Sequence, residues 1–214
     1  MTLLSSADLS CERDDRLLFS GLQFQLDAGE ILQLEGPNGS GKTTLLRILS
    51  GLYGAYDGSV LWQGHDIRSH MSEYQAQLLV LGHKPAIKLA LSPVENLRYL
   101  CGLHGQHDVA VIMDALSKLG LSGYEFVPCR NLSAGQVRRV NLSRLYLSDA
   151  RIWLLDEMFT AIDKNGVAQL ERLLEDKAKE GVAIAMTTHH SPQIESLRVL
   201  RLGEQRLGVR ETAI

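Results

Sequence analysis

GEILQLEGPNGSGKTTLLRILSGL, residues 29–52, sets the architecture of the chain. GEILQLE (29–35) has the short, continuous apolar character of a buried strand, and TTLLRILSGL repeats its apolar residues at helical spacing. Between them GPNGSGKT, Gly36 to Thr43, matches the pattern G-x-x-x-x-G-K-[ST]. Gly36, Gly39 and Gly41, with Pro37, Asn38 and Ser40 between them, let backbone N–H groups turn inward around a phosphate chain. The helix that begins near Gly41 directs its positive end at the same anion. Lys42 supplies a compact charge for β- and γ-phosphates, the Thr43 hydroxyl is placed to ligate Mg²⁺, and Thr44 closes the phosphate-binding run. A glycine-rich turn with an exposed lysine is the bland alternative. The strand before the loop and the helix after it argue against that alternative.

Two further apolar runs end in polar residues. RIWLLDE (151–157) closes on Asp156 and Glu157, and VAIAMTTHH (182–190) closes on two threonines and two histidines. Such runs suit buried, parallel strands, and the carboxyl edge of an open α/β sheet is where ligands bind. A carboxylate at a buried strand end is costly unless it meets a cation, so Asp156 is expected to hold Mg²⁺ through water. Glu157 then lies near the γ-phosphate, where it can polarise the attacking water. His189 is expected to contact the γ-phosphate; a surface turn is the plainer reading of two adjacent histidines. Metal binding by His189 and His190 is disfavoured because adjacent side chains diverge. His104 and His107 read as solvated loop residues.

Composition bounds the rest. The 214 residues are 45% apolar, 22% charged and 6% aromatic, with a formal net charge of −3. That describes a globular chain able to bury a core, and it disfavours a disordered chain or a strongly basic nucleic-acid binder. No apolar run approaches the roughly 20 residues that span a bilayer, so direct membrane insertion is not expected. The N-terminus is too polar and acidic for a secretory signal. Cys11, Cys101 and Cys129 stand far apart and in no metal-ligand spacing, which reads as reduced cytosolic thiols. Leu22, Phe24 and Leu26 alternate with polar residues, and GSVLWQG looks like another strand. Ser92, Pro93 and Glu95 read as the N-cap, N1 and N3 of a capping box. Asp108 reads as the N-cap of a helix carrying Ile112, Ala115, Leu116 and Leu119. Val167, Leu170, Leu173 and Leu174 make another apolar stripe, closed by Gly181. Together these imply a mixed sheet core with helices crowded between about 84 and 147.

LSAGQVRR (132–139) resembles the LSGGQ signature of ATP-binding cassette (ABC) ATPases, with Ala134 in place of a glycine. Ser133 to Gln136 also has the form of a capping box, so the segment should open a helix. TAID (160–163) is similar to the D-loop, with Asp163 as its acid. His189 stands at the switch-histidine position. GHKPAIKLALSPVENL (82–97) aligns with the Q-loop, with His83 where glutamine is usual. No aromatic stands near 11–16 to stack on adenine, and Arg13 offers its guanidinium plane instead. CERDDRLLFSGLQF, the LGH-x-P-x-I-K loop, LSAGQ-x-RRV and LLDE-x-FTAID together resemble the haem-exporter-type ABC ATPases of cytochrome c biogenesis, over about residues 3 to 205. Against that family's pattern, Met158 replaces a proline after Glu157, Lys84 a glutamine and Ala86 a glycine. Met158 bears on how rigidly the strand end presents Glu157.

The resemblance implies an α/β fold of the P-loop NTPase class. It implies an ABC-type core with an N-terminal antiparallel β subdomain and a helical subdomain inserted at about 84–147, all in one nucleotide-binding domain spanning 1–214. It further implies ATP and Mg²⁺ as ligands, and a homodimer in which Ser133, Gly135 and Gln136 of one subunit face the nucleotide held by the other. An integral membrane permease and other cytochrome c maturation membrane subunits are the implied partners. The implied setting is the cytoplasmic face of a bacterial inner membrane, and the implied role is haem export or release of a haem-loaded chaperone. An ABC ATPase serving lipid, drug or peptide export would share every catalytic residue. A non-transport ABC ATPase acting on nucleic acid is opposed by the mild acidity and by the lack of a long heptad run. A phosphate-loop kinase is opposed by the signature and the switch histidine.

Overall fold

The computed structural model describes residues 1–102, 107–160 and 162–203, so His104 and the alanine of TAID lie outside the described residues. In chain order the elements are strands β1 (Thr2–Arg13), β2 (Arg16–Asp27) and β3 (Ile31–Glu35), helix α1 (Lys42–Leu49), and strands β4 (Asp57–Trp62) and β5 (His65–Asp66). Helix α2 (Met71–Gln75), strand β6 (Leu78–Leu81) and helices α3 (Pro93–Cys101), α4 (Val109–Lys118), α5 (Ala134–Leu142) and α6 (Arg144–Leu147) follow. Strand β7 (Ile152–Asp156), helix α7 (Lys164–Lys179), and strands β8 (Ala183–Thr187) and β9 (Leu197–Arg201) complete the order.

The mixed core read from the apolar pattern is two sheets, and the first is the N-terminal antiparallel β subdomain that the resemblance implies. Antiparallel pairing is confined to the first, in the order β2-β1-β4-β5. The second runs β6-β7-β8-β3-β9, and every neighbouring pair in it is parallel. The cause lies in the strands themselves. β7 and β8 are buried at every residue and β3 at all but its last, as strands covered on both faces must be. The N-terminal strands instead alternate buried and exposed positions along much of their length. β1 and β2 join through Asp14 and Asp15, both in the left-handed region at φ 52° and 57°, as a tight two-residue hairpin requires. That hairpin pairs Arg13 with Arg16 at its tip.

Alternation along the parallel strands feeds two cores. Leu32, Leu34, Leu154 and Ala185 meet Leu45, Ile48 and Leu49 of α1 and the inner face of the antiparallel sheet. Ile31, Trp153, Leu155, Ile184 and Met186 meet Leu170 and Leu174 of α7. A third cluster is built within the helical stretch by Val94 and Leu97 of α3, Ile112 and Leu116 of α4, Val140 of α5 and Leu147 of α6. The Ser92–Glu95 capping box opens α3 with Pro93 in its first turn. Asp108 holds the N-cap position of α4, but its side chain makes no capping bond. All three cysteines are free and buried. No helix among the described residues is long and apolar enough to cross a membrane.

Candidate active site

The loop between β3 and α1 sits at the carboxyl edge of the parallel sheet, on the strand between β8 and β9. Two glycines in it are required by space and backbone together. At Gly36, φ 150°, a Cβ would come within 2.5 Å of the Leu202 carbonyl oxygen and 2.7 Å of Ser40 Oγ. At Gly41, φ 95°, it would meet the Leu18 and Phe19 side chains at 3.1 Å. Gly41 is also the N-cap of α1; no side chain caps that end and no acid lies in its first turn. The N–H groups of the first turn are therefore left for an anion to satisfy. Lys42 Nζ lies over the loop, donating to the Gly36 carbonyl at 2.6 Å and the Pro37 carbonyl at 3.1 Å.

A cleft of about 380 Å³ opens on this loop. Asn38, Gly39 and Lys42 to Thr44 line its floor, Arg13 and Leu18 one wall, Glu157 and His189 the other. The β1–β2 hairpin brings Arg13 there, where its guanidinium faces Asp14 at 3.3 Å. Arg16, at the other foot of the hairpin, lies beside Gly39, with its Nη1 3.3 Å from where a Cβ would stand.

β7 and β8 deliver the opposite wall in register, Asp156 beside Thr187. Asp156 is buried, and its Oδ1 accepts from Thr187 Oγ1 at 2.6 Å and from Thr43 Oγ1 at 3.3 Å. A hydroxyl and a carboxylate held together at a phosphate-loop mouth are the hard oxygen donors Mg²⁺ takes, so the residues present fit that ion. Glu157 leaves the strand in the left-handed region at φ 55°. Its N–H donates to the Thr187 carbonyl at 3.1 Å and to Thr187 Oγ1 at 3.0 Å. Its carboxylate, 15% exposed, has Oε1 3.3 Å from Nε2 of His189, which is 67% exposed. Met158, the departure that bears on how rigidly this end presents Glu157, is fully buried in the core beside α7.

Other sequence-derived candidates lie outside the cleft. Ser133, Gly135 and Gln136 form the start of α5, with Ser133 exposed. The Gln136 N–H donates to Ser133 Oγ at 3.2 Å, and the Ser133 N–H donates to Gln136 Oε1 at 2.8 Å. Asp163 caps α7, its Oδ1 accepting from the Gly166 N–H at 2.9 Å. His83 is exposed, and its backbone carbonyl accepts from Arg138 Nη1 at 2.9 Å. The two histidines diverge: His190 Nε2 turns to Glu171 Oε1 at 3.3 Å, on α7.

The sequence reading missed Arg138. The basic pair in LSAGQVRR is visible, but nothing local says that the first arginine turns inward. It is 6% exposed and reaches four backbone carbonyls, those of Gly82, His83, Asp156 and Glu157. Burial pushes its pKa down from the ordinary arginine value, and the Asp156 and Glu157 carboxylates push it back up.

A model of the ABC transporter family matches residues 19–160. The cytochrome c biogenesis ATP-binding export protein CcmA of Hahella chejuensis is 48% identical over 202 residues, covering 94% of this chain and 96% of that protein. The protein of the same name from Pseudomonas fluorescens is 50% identical over 88% of this chain and 90% of its own. That from Escherichia coli K12 is 45% identical over 94% and 96%. Among solved structures, an ATP-binding subunit of an ABC transporter superposes with a TM-score of 0.82 at 22% identity, over 94% of this chain and 88% of that one. An ABC transporter ATP-binding protein from Pyrococcus furiosus gives 0.80 at 25% identity, over 93% and 96%.

Proposed function

The chain belongs to the ABC transporter family, among relatives named as cytochrome c biogenesis ATP-binding export proteins, and from that membership we propose a mechanism and a setting for it. It is an ATP-binding subunit that hydrolyses ATP to power transport. The observation that carries the mechanism is the convergence of Lys42, Thr43, Glu157 and His189 on one cleft, with Asp156 bonded to Thr43 behind it.

The loop from Gly36 to Gly41 and the open start of α1 cradle the phosphates, and Lys42 turns from the loop carbonyls to the β- and γ-oxygens. Thr43, with Asp156 through water, would hold Mg²⁺, which would supply charge neutralisation along the phosphate chain. Glu157 accepts a hydrogen bond from the attacking water. The bond from water oxygen to the γ-phosphorus forms as the bridging bond to ADP breaks, leaving ADP and phosphate. His189 donates toward the γ-phosphate from beside Glu157. Arg13 packs its guanidinium plane on the adenine side of the cleft.

The exposed tip of α5 supports a two-chain site. Ser133, Gly135 and Gln136 face the γ-phosphate held by a second copy of this chain, Asp163 lies along the same seam, and His83 orients water or metal from the Q-loop. Residues 1–214 act as one nucleotide-binding domain, with the helical stretch at about 84–147 as the dock for an integral membrane permease. Loss of the γ-phosphate bridge lets the pair open, and the permease reads that opening. In this reading the chain lies on the cytoplasmic face of a bacterial inner membrane and drives haem export, or release of a haem-loaded chaperone, for c-type cytochromes.

Glu157→Gln, expressed in place of the natural chain, is expected to keep ATP binding and lose at least about 100-fold in turnover. It is also expected to stop accumulation of c-type cytochromes. Near-normal hydrolysis would remove the role given to Glu157. Normal cytochrome levels without turnover would remove the biosynthetic setting.

A further inference from the structure

Arg138 stands at the middle of α5, five residues beyond Ser133, and its guanidinium works as a fork between two segments that the sequence keeps far apart. Nη1 donates to the Gly82 and His83 carbonyls at 3.2 and 2.9 Å, just past the end of β6. Nη2 donates to the Asp156 and Glu157 carbonyls at 3.3 and 2.6 Å, at the end of β7. Bonds from a buried cation to carbonyls are stronger than neutral ones, and a planar fork fixes direction as well as distance.

What lies at the end of that fork is the one strained backbone position at the reacting wall. Glu157 is a non-glycine residue at φ 55°, a conformation that persists only when its surroundings hold it from several sides. Thr187 holds the N–H side of Glu157 through its carbonyl and hydroxyl oxygens. Arg138 holds the carbonyl side. With either side released, the backbone at Glu157 is free to relax from this conformation, and the carboxylate it carries loses its fixed place beside the cleft and His189. Arg138 itself does not line the cleft.

Resting on the hydrolytic reading above, we infer that Arg138 is the positioning residue for Glu157. It locks the carboxylate in its water-facing pose and ties that pose to the helix whose exposed tip is Ser133. A displaced α5 therefore displaces Glu157 as well, which links the outward-facing signature to hydrolysis in the chain's own cleft. Arg138 touches neither nucleotide nor water.

The test is steady-state hydrolysis of Mg-ATP by the full chain carrying Arg138→Gln or Arg138→Lys, alongside thermal unfolding. Misplacing a reacting group by about 1 Å costs on the order of 10- to 100-fold, so kcat should fall by that factor in Arg138→Gln. KM for ATP should stay within about twofold, because no phosphate-binding group has moved. Arg138→Lys keeps the charge but reaches fewer carbonyls, so its kcat should lie between the two. A kcat of wild-type size in folded Arg138→Gln would overturn the inference, as would a KM that rises in step with any loss of kcat. If Arg138→Gln does not fold, Arg138→Lys decides by the same split. Failure of both variants to fold would make Arg138 a scaffold residue and end the proposal. A wild-type chain without Mg-ATP turnover would bring down the hydrolytic reading first.

Discussion

Helix α1 starts behind Gly41 with no side-chain cap, whereas helix α5 starts behind Ser133 with both bonds of a capping box closed. Both ends carry the same backbone charge, and both are placed to meet phosphate in the proposed complex. The first is finished by its ligand, because its N–H groups and Lys42 have only loop carbonyls or solvent to turn to. The second is finished by its own sequence, so it keeps its shape while exposed. That suits a surface offered to a second chain. A helix end that grips a ligand is left locally incomplete, and one presented to a second chain is not.

The contrast breaks first at Lys42. Lys42→Ala removes a charge-assisted donor from the incomplete end and is expected to weaken Mg-ATP binding by about 10- to 100-fold, measured by direct titration. Unchanged affinity would mean that the loop does not hold the nucleotide. Next comes the presented end. In mixed dimers carrying Lys42→Ala and Ser133→Arg, the two changes on different subunits should leave one complete site, made of one chain's loop and the other's signature. The same two changes on a single subunit should leave none. If hydrolysis survives only when both sit on one subunit, Ser133 serves its own chain and the two-chain site is wrong.

Elements that depend on neighbours in sequence are legible from the residues alone. GPNGSGKT, the Asp156–Glu157 strand end and both capping boxes are local patterns, and the structure forms each of the boxes within four residues. The separation into two sheets is legible only through the resemblance, which implies an N-terminal antiparallel β subdomain; periodicity alone does not give it, because it depends on which distant strand each one pairs with. β1 reads as LSSADLSCE, with too little apolar alternation to announce a 12-residue strand. β9 is a largely exposed edge strand, LRVLR. Arg138 was hidden for a related reason: its acceptors are backbone carbonyls, which carry no residue type, on two segments that only the fold brings together. Asp163 shows the limit from the other side. Its position fits the D-loop pattern, while its carboxylate is occupied in capping α7.

The two capping boxes differ from each other by a smaller margin. Ser92 and Ser133 each close a capping box, but Ser92 is buried and its partner is Glu95, to which its hydroxyl also donates, whereas Ser133 is exposed and its partner is Gln136. Loss of a serine cap costs about 0.5–2 kcal/mol. Ser92→Ala should fall toward the upper end, because Ser92 is enclosed in the helical core, and Ser133→Ala toward the lower, because water can replace the hydroxyl. The two should also part company in acid. The Ser92 N–H and hydroxyl donate to the Glu95 carboxylate and hold its pKa below the ordinary 4.5. A carboxyl depressed on folding stabilises above its unfolded value and loses that contribution as pH falls through the folded one. Urea unfolding should therefore show the Ser92→Ala penalty shrinking as pH drops below 4.5, while the Ser133→Ala penalty, with an uncharged amide as partner, stays level. Equal acid responses would show that the bond from the Ser92 hydroxyl to the Glu95 carboxylate adds nothing to its cap, the backbone bond to Glu95 surviving the substitution.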